Sequence, residues 1–420
     1  MTYIDTPGMT SSNVSVWDIN SRGQISGGSN TAGYPFVWTP GATSAATGTT
    51  TKLPMPLIRN GIGGGTTPYT AGSAWGINDY GQLAGYAGAE ARALLWTPSV
   101  ANGATYSFVD LLTTTGQPAH AAYHVNALGQ VSGRYGGLLW SPSTPNSPTN
   151  MTLTLVPLGP NGDTTPDAMA INDRGDMTSF SNAGGYWRPA TPNGTVGTRV
   201  AAPQLRYLNN VGLAVSGTGI ADAYVVRISD DAIPTITTIY TKTGDIAYEV
   251  NDAGTVVFGS GDVWSESDGL INIFPRLETH SAAGVNGLQL RAINETGQMA
   301  GKVLRDEDNN PSTPDVTSPV LLTPLTDGDA NVDRVVNFTD LLTLASHYND
   351  STGATWLQGD FTGDGAVNFA DLLQLAANYG SGPTGTFADD WALALSLVPE
   401  PTLALSLPLA ALMLRQRRVG

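Results

Sequence analysis

Apolar and polar residues alternate with a period of two through most of the first three quarters of the chain, and the alternation breaks each time at the same short phrase. The phrase is an apolar residue, Asn, two variable residues and Gly. It occurs at Ile19-Asn20 to Gly23, Ile77-Asn78 to Gly81, Val125-Asn126 to Gly129, Ile171-Asn172 to Gly175, Leu208-Asn209 to Gly212, Val250-Asn251 to Gly254 and Ile293-Asn294 to Gly297. An Asn opening a type I turn hydrogen-bonds the backbone two residues on, and Gly at the fourth position takes the left-handed conformation of a bulge. Each copy therefore predicts strand, tight turn, strand. The flanks agree, since Trp17 and Ile19, and Trp75 and Ile77, alternate before the turn, and Ile25, Leu83, Val131 and Met299 follow it.

Successive turn asparagines lie 58, 48, 46, 37, 42 and 43 residues apart, near the length of a four-stranded propeller blade. An aromatic strand ending in Pro follows most turns: Phe36 to Pro40, Leu94 to Pro98, Leu138 to Pro142, Tyr186 to Pro189. A fourth apolar segment, such as Ser107 to Leu112 or Leu153 to Leu158, precedes the next copy. The seventh copy lacks its fourth strand, while Thr2 to Asp5 is a spare one, so the N-terminal strand is expected to close the ring and remove the open sheet edges. The predicted fold is mainly β, a seven-bladed β-propeller over 1–325, followed by a small all-α calcium-binding domain and a C-terminal hydrophobic helix. The copies resemble the HAF-type extracellular repeat, with good matches at Ala74 to Gly85, Ala168 to Met177 and Ala292 to Gly301, and the resemblance implies a secreted or surface bacterial protein with no established chemistry. Asn and Gly of the phrase are explained by turn geometry alone.

Composition narrows the function. With 50 Gly and 13% charged residues, the chain suits many short strands, and a net charge of -16 argues against a nucleic-acid partner, which requires a basic footprint. There is no Cys, hence no disulfide, thiolate metal site or cysteine nucleophile. The four histidines are His120, His124, His280 and His347; His120 and His124 read as a loop or rim pair rather than as metal ligands. Trp38, Trp96, Trp140, Trp187 and Trp264 are locked to the repeat and are expected to pack between blades rather than stack on sugars. Asp306, Glu307, Asp308 and Asp315 read as a solvated insertion loop.

At 326–380 the pattern changes to duplicated loop and helix. Asp329, Asn331, Asp333, Val335, Asn337 and Asp340 occupy positions 1, 3, 5, 7, 9 and 12 of one loop. Asp360, Thr362, Asp364, Ala366, Asn368 and Asp371 occupy those of a second, 31 residues on. Side-chain oxygens at this spacing, with the position-7 backbone carbonyl, wrap a loop around Ca2+. Each loop runs into an apolar-periodic helix: Leu341, Leu342, Leu344, Ala345, Tyr348, then Leu372, Leu373, Leu375, Ala376, Tyr379. The pair resembles a type I dockerin module, which implies a cohesin-like partner; a calcium-stabilised spacer with no partner fits the residues equally well. Arg334 stands at position 6 of the first loop, where the second has Gly365, so the first site is expected to bind more weakly.

Residues 381–397 read as a linker. In 398–420, Pro399-Glu400-Pro401 precedes thirteen mostly apolar residues, Thr402 to Leu414, and then Arg415, Arg417 and Arg418. This order resembles the PEP-CTERM sorting signal, which implies transient membrane insertion of the tail and cleavage by an exosortase. Export needs an N-terminal signal and Met1 to Gly8 is not one, so the true start is expected further upstream. The leading expectation is an exported, non-catalytic surface or extracellular binding or display protein, with an extracellular glycan as a possible ligand. The alternative is a polysaccharide-degrading hydrolase or lyase on the same scaffold.

Overall fold

The computed structural model describes residues 1–9, 13–29, 33–41, 47–59, 66–88, 92–111, 121–134, 136–181, 185–217, 222–231, 233–274, 285–305, 316–331, 335–380, 382 and 385–398. The chain divides into two compact units, Met1–Thr323 and Pro324–Gly420.

The first unit is built almost wholly of antiparallel strands, and each copy of the phrase is the turn of a hairpin. In the first repeat Ser15–Ile19, Ile25–Ser29, Phe36–Pro40 and Gly48–Lys52 pair in order. Repeats two to six repeat the arrangement, for instance Ala122–Val125, Val131–Gly133, Leu138–Ser141 and Thr152–Leu155 in the third. In the seventh, Val285–Ile293, Met299–Arg305 and Val316–Leu322 are joined by Thr2–Tyr3, which pairs antiparallel with the last of them.

Repeats one and two depart from separate four-stranded groups and share one eight-stranded sheet, because Gly28 and Ser29 pair with Ser73 and Gly72. The contact requires glycine: a Cβ on Gly28 would stand 2.5 Å from the Gly72 carbonyl oxygen. An extra hairpin, Leu57–Arg59 with Thr66–Pro68, accounts for the long first interval.

The turns follow the expected geometry. Gly23 has φ +77°, its N–H reaches Asn20 O at 2.9 Å, and Asn20 Oδ1 accepts from the N–H of Arg22. What the turn does not explain is Nδ2. In every repeat it donates to the backbone carbonyl of the next repeat's Asn: Asn20 to Asn78, Asn78 to Asn126, Asn126 to Asn172, Asn172 to Asn209, Asn209 to Asn251, Asn251 to Asn294, and Asn294 back to Asn20. The distances run from 2.8 to 3.1 Å. The asparagine thus has a second, inter-repeat role that corrects its reading as turn geometry alone. The Gln four residues after it is also explained: Gln24, Gln82 and Gln130 each donate to a hydroxyl on the third strand of the same repeat, Thr39, Thr97 and Ser141, and Gln298 donates to that of Thr323, just past the end of its third strand.

Trp38, Trp96, Trp140 and Trp187 are at most 1% exposed and Trp264 is 6% exposed, as packing residues should be. Trp140 of repeat three lies in one apolar cluster with Ala84 and Leu95 of repeat two, so burial joins neighbouring repeats.

In the second unit α1 (Phe338–His347) and α2 (Phe369–Asn378) follow the two loops, and α3 (Phe387–Leu397) lies in the segment expected to be a linker. That expectation is corrected by packing: Phe387, Trp391 and Ala394 join the core of Leu341, Leu344, Phe361, Leu372 and Leu375. Trp391 meets Tyr348 edge-on at 5.3 Å, and Tyr379 donates to Asp390 Oδ2 at 3.0 Å. The apolar residues of α3 have a face to cover. Among the described residues no helix is long and apolar enough to cross a membrane. The expected C-terminal hydrophobic helix and the box Pro399, Glu400 and Pro401 lie outside the described residues.

Candidate functional site

Two places bring together chemistry-bearing residues: the convergent first strands of the seven repeats, and the paired loops of the second unit.

The register of the first strands breaks just before the turn. Val16 pairs with Gly27 and Asp18 with Ser26, leaving Trp17 unpaired, and comparable breaks occur before Asn78, Asn126, Asn172, Asn251 and Asn294. A bulge re-aims side chains, so that two successive residues can face the same space. The residues three before each Asn are Trp17, Trp75, Tyr123, Met169, Arg206, Tyr248 and Arg291; all seven line one cavity of about 390 Å³ and all are half-buried. Thus the framework residues stay fixed while the position beside them changes from repeat to repeat.

One residue nearer the turn, Asp18, His124, Tyr207 and Glu249 line both this cavity and a second one of about 130 Å³, to which all seven repeats contribute. These four form a connected polar group. His124 Nδ1 lies 2.9 Å from Ile171 O, and because a carbonyl only accepts, Nδ1 carries the proton. Nε2 is 3.2 Å from the Tyr207 hydroxyl and 3.4 Å from Asp18 Oδ2, so neither ring nitrogen is spare. Asp18 also accepts from the N–H groups of Ile19 and Ile77. Burial first, and then the charge of Asp18, push the Glu249 carboxyl well above the usual range, while hydrogen bonds accepted from the Tyr207 hydroxyl and from Ile293 N oppose that shift. Burial, followed by Glu249 and Asp18, likewise pushes the Tyr207 phenol up.

At the far side of the smaller cavity, the residues just after the turn Asn form a mostly acidic set, Asp79, Asp173, Asp252 and Glu295. Several tie one repeat to the preceding one, as Asp79 does by accepting from Ser21 N at 2.8 Å and Asp173 from Ala127 N at 2.7 Å.

In the second unit the position-12 carboxylates are central to each loop. Asp371 Oδ1 accepts from Thr362 N at 2.9 Å and Oδ2 from Asn368 N at 2.8 Å; Asp340 accepts from Ala330, Asn331 and Asn337 in the same way. Positions 9 and 12 therefore double as the capping boxes of α1 and α2. Asp360 accepts from the N–H groups of Gly363, Asp364 and Gly365, and Gly363 and Gly365 take φ values of +72° and +82° that permit the sharp turn. Asp364 accepts from Ala366 N and stands 3.5 Å from Asn368 Nδ2. Among the described residues no three His, Asp or Glu side chains converge into a group that would hold a metal on their own. The carboxylates of Asp360, Asp340 and Asp371 are turned to loop N–H groups. With Thr362, Asn368 and the Ala366 carbonyl, the second loop offers the all-oxygen donor set that suits a hard cation.

Of the first loop's residues, Asp329 and Asp340 are buried, Val335 is exposed, Asn337 caps α1 through Thr339 N, and Asn331 sits beside Asp340. Asp333 and Arg334 lie outside the described residues, as do His120, His280, Asp306, Glu307, Asp308 and Asp315. His124 is not a rim residue but a member of the buried polar group, an assignment its sequence neighbours could not signal. The residues three before Asn were missed too. The available signal was variation in chemistry at a constant offset from a constant turn.

No curated protein matches the chain. Residues 327–378 match the model of the dockerin type I domain; domains of this type bind calcium, and their presence points to extracellular protein assembly through a cohesin-type partner.

Proposed function

We propose that the chain is an exported, non-catalytic bacterial surface or extracellular protein, a seven-bladed propeller for binding or display carried beside a calcium-dependent docking module. The observation that supports the module is the duplicated loop and capped helix at 329–378, with its match to the dockerin type I domain. Its calcium ligands would be Asp329, Asn331, Asp333, the Val335 carbonyl, Asn337 and Asp340 in one loop, and Asp360, Thr362, Asp364, the Ala366 carbonyl, Asn368 and Asp371 in the other. What supports the propeller is the unbroken circuit of asparagine hydrogen bonds and the pairing of Thr2–Tyr3 with the last strand. HAF-type repeats, a PEP-CTERM tail over 398–420 and exosortase cleavage at its box belong to the same reading.

Immobilised type I cohesin should capture the full chain in calcium and release it in chelator, and Asp360→Ala with Asp329→Ala should abolish capture. Calcium binding by calorimetry without capture by any cohesin would remove the docking role and leave a structural ion.

A further inference from the structure

The cavity of about 390 Å³ carries a charge that the protein around it does not explain. The chain has a net charge of -16, yet Arg206 and Arg291 both line this cavity. Arg206 donates through Nε to Gly217 O at 3.1 Å; among the described residues neither guanidinium has a carboxylate partner. Both instead lie on aromatic faces, Arg206 4.2 Å from the centre of the Phe180 ring and Arg291 4.1 Å from that of Tyr248. Lys302 adds a third positive charge near Arg291.

The acids in the same wall are already engaged. Asp18 accepts from two backbone N–H groups, Asp167 faces Arg134 at 3.8 Å, and Glu249 accepts from Ile293 N at 3.3 Å. Burial pushes both arginines below their ordinary range, the direction expected for cations withdrawn from water without an anion. A half-buried cation without a counter-charge costs stability, and a bound anion offsets that cost.

The cavity is also lined by aromatic rings, and Arg291 itself lies 5.5 Å from the centre of the Trp17 ring. Trp75 stacks on Tyr123 at 4.8 Å and 21°, Trp17 meets Trp75 at 6.3 Å, and the Trp75 indole N–H is buried with no hydrogen-bond partner. The volume falls within the roughly 300–1,000 Å³ of small-ligand sites and is bounded by all seven repeats, so it suits one end of a ligand rather than a chain passing through.

We propose that this cavity binds the terminal uronic acid residue of a glycan, its carboxylate held by Arg206 and Arg291 and the apolar face of its ring against Trp17, Trp75 and Tyr123. A sugar acid combines an anion that guanidinium groups recognise in a fork with a C–H face that aromatic rings cover. One acidic residue at a chain end also avoids drawing a polyanion across an acidic surface. The assignment rests on the reading of the first unit as a binding scaffold.

Titration calorimetry of the full chain with digalacturonic acid and with neutral digalactose tests it. The acid should bind at least tenfold tighter than the neutral sugar, with tryptophan fluorescence changing on binding. Arg291→Met and Arg206→Met should each weaken it at least tenfold, while circular dichroism shows both variants folded as the native chain is. Equal affinity for the two sugars, no binding of the acid, or an Arg291→Met variant that binds as well as the native chain would overturn the assignment. A glycan array separates this from failure of the scaffold reading. A hit insensitive to both arginine variants overturns the site alone, and an array without hits overturns both.

Discussion

The side chain of Asn126 has five polar partners, its two amide hydrogens being shared among three acceptors. Oδ1 accepts from Leu128 N and Gln130 N, and Nδ2 donates to Gln130 Oε1, Asn172 O and Asn193 Oδ1. Only the first two belong to the turn. Asn126→Asp keeps both and replaces the donor by an oxygen facing three acceptors, so it isolates the inter-repeat role. A buried acceptor left against acceptors costs several times an ordinary hydrogen bond, and urea denaturation should show a loss of about 2–4 kcal/mol. An unchanged midpoint would mean that the circuit of asparagines adds nothing to stability. Glu249 gives a pH-dependent counterpart. Its carboxyl is raised by burial and by Asp18, so the folded state favours the protonated form. Below the unfolded value of about 4.3 both states are protonated; as pH rises the unfolded chain ionises first, and stability falls until pH passes the folded value. Glu249→Gln removes that fall. Its stability relative to the native chain should be flat in acid and grow as pH rises above about 4.3. A difference that does not change with pH would show that Glu249 is ionised in the fold.

Among elements, α3 alters what the calcium module is. A segment ending at 380 lacks Phe387, Trp391 and Ala394 and would leave the faces of Tyr348 and Tyr379 open. Small units have little core to spare, and metal binding then supplies much of the folding free energy. Circular dichroism of fragments 324–380 and 324–398 should show both gaining helix on calcium addition, the longer one melting higher. In the longer one, Trp391→Ala should cost about 3–5 kcal/mol, the usual range for removing a buried aromatic side chain. Equal melting temperatures for the two fragments would return 387–397 to the status of a linker. The Gly28–Gly72 approach is the comparable lesson in the first unit: with no side chain on either residue, two repeats can share one sheet.

At the scale of the whole molecule, charge and repetition act at different levels. The net charge of -16 describes the chain but not the cavity lined by Arg206 and Arg291, because sign is decided by which residues converge. The sequence by itself determined the seven hairpins, their turn chemistry, the burial of the repeat tryptophans and the two loop-helix units. All are set by local periodicity and by residues within a few positions of one another, as Asn20 and Gly23 are. The fate of the Asn Nδ2 groups was decided only by tertiary structure, since their acceptors lie 37 to 58 residues away along the chain, or 274 in the case of Asn294. The same holds for the meeting of Asp18, His124, Tyr207 and Glu249, which come from four repeats, and for the docking of α3. The cavity residues were legible only in part: their offset from the turn is written in each repeat, but the bulge that turns Trp17 or Arg291 inward is a feature of strand pairing. Pairing partners distant in sequence leave no periodic trace in either strand, so the shared space becomes visible only when the seven first strands are brought together.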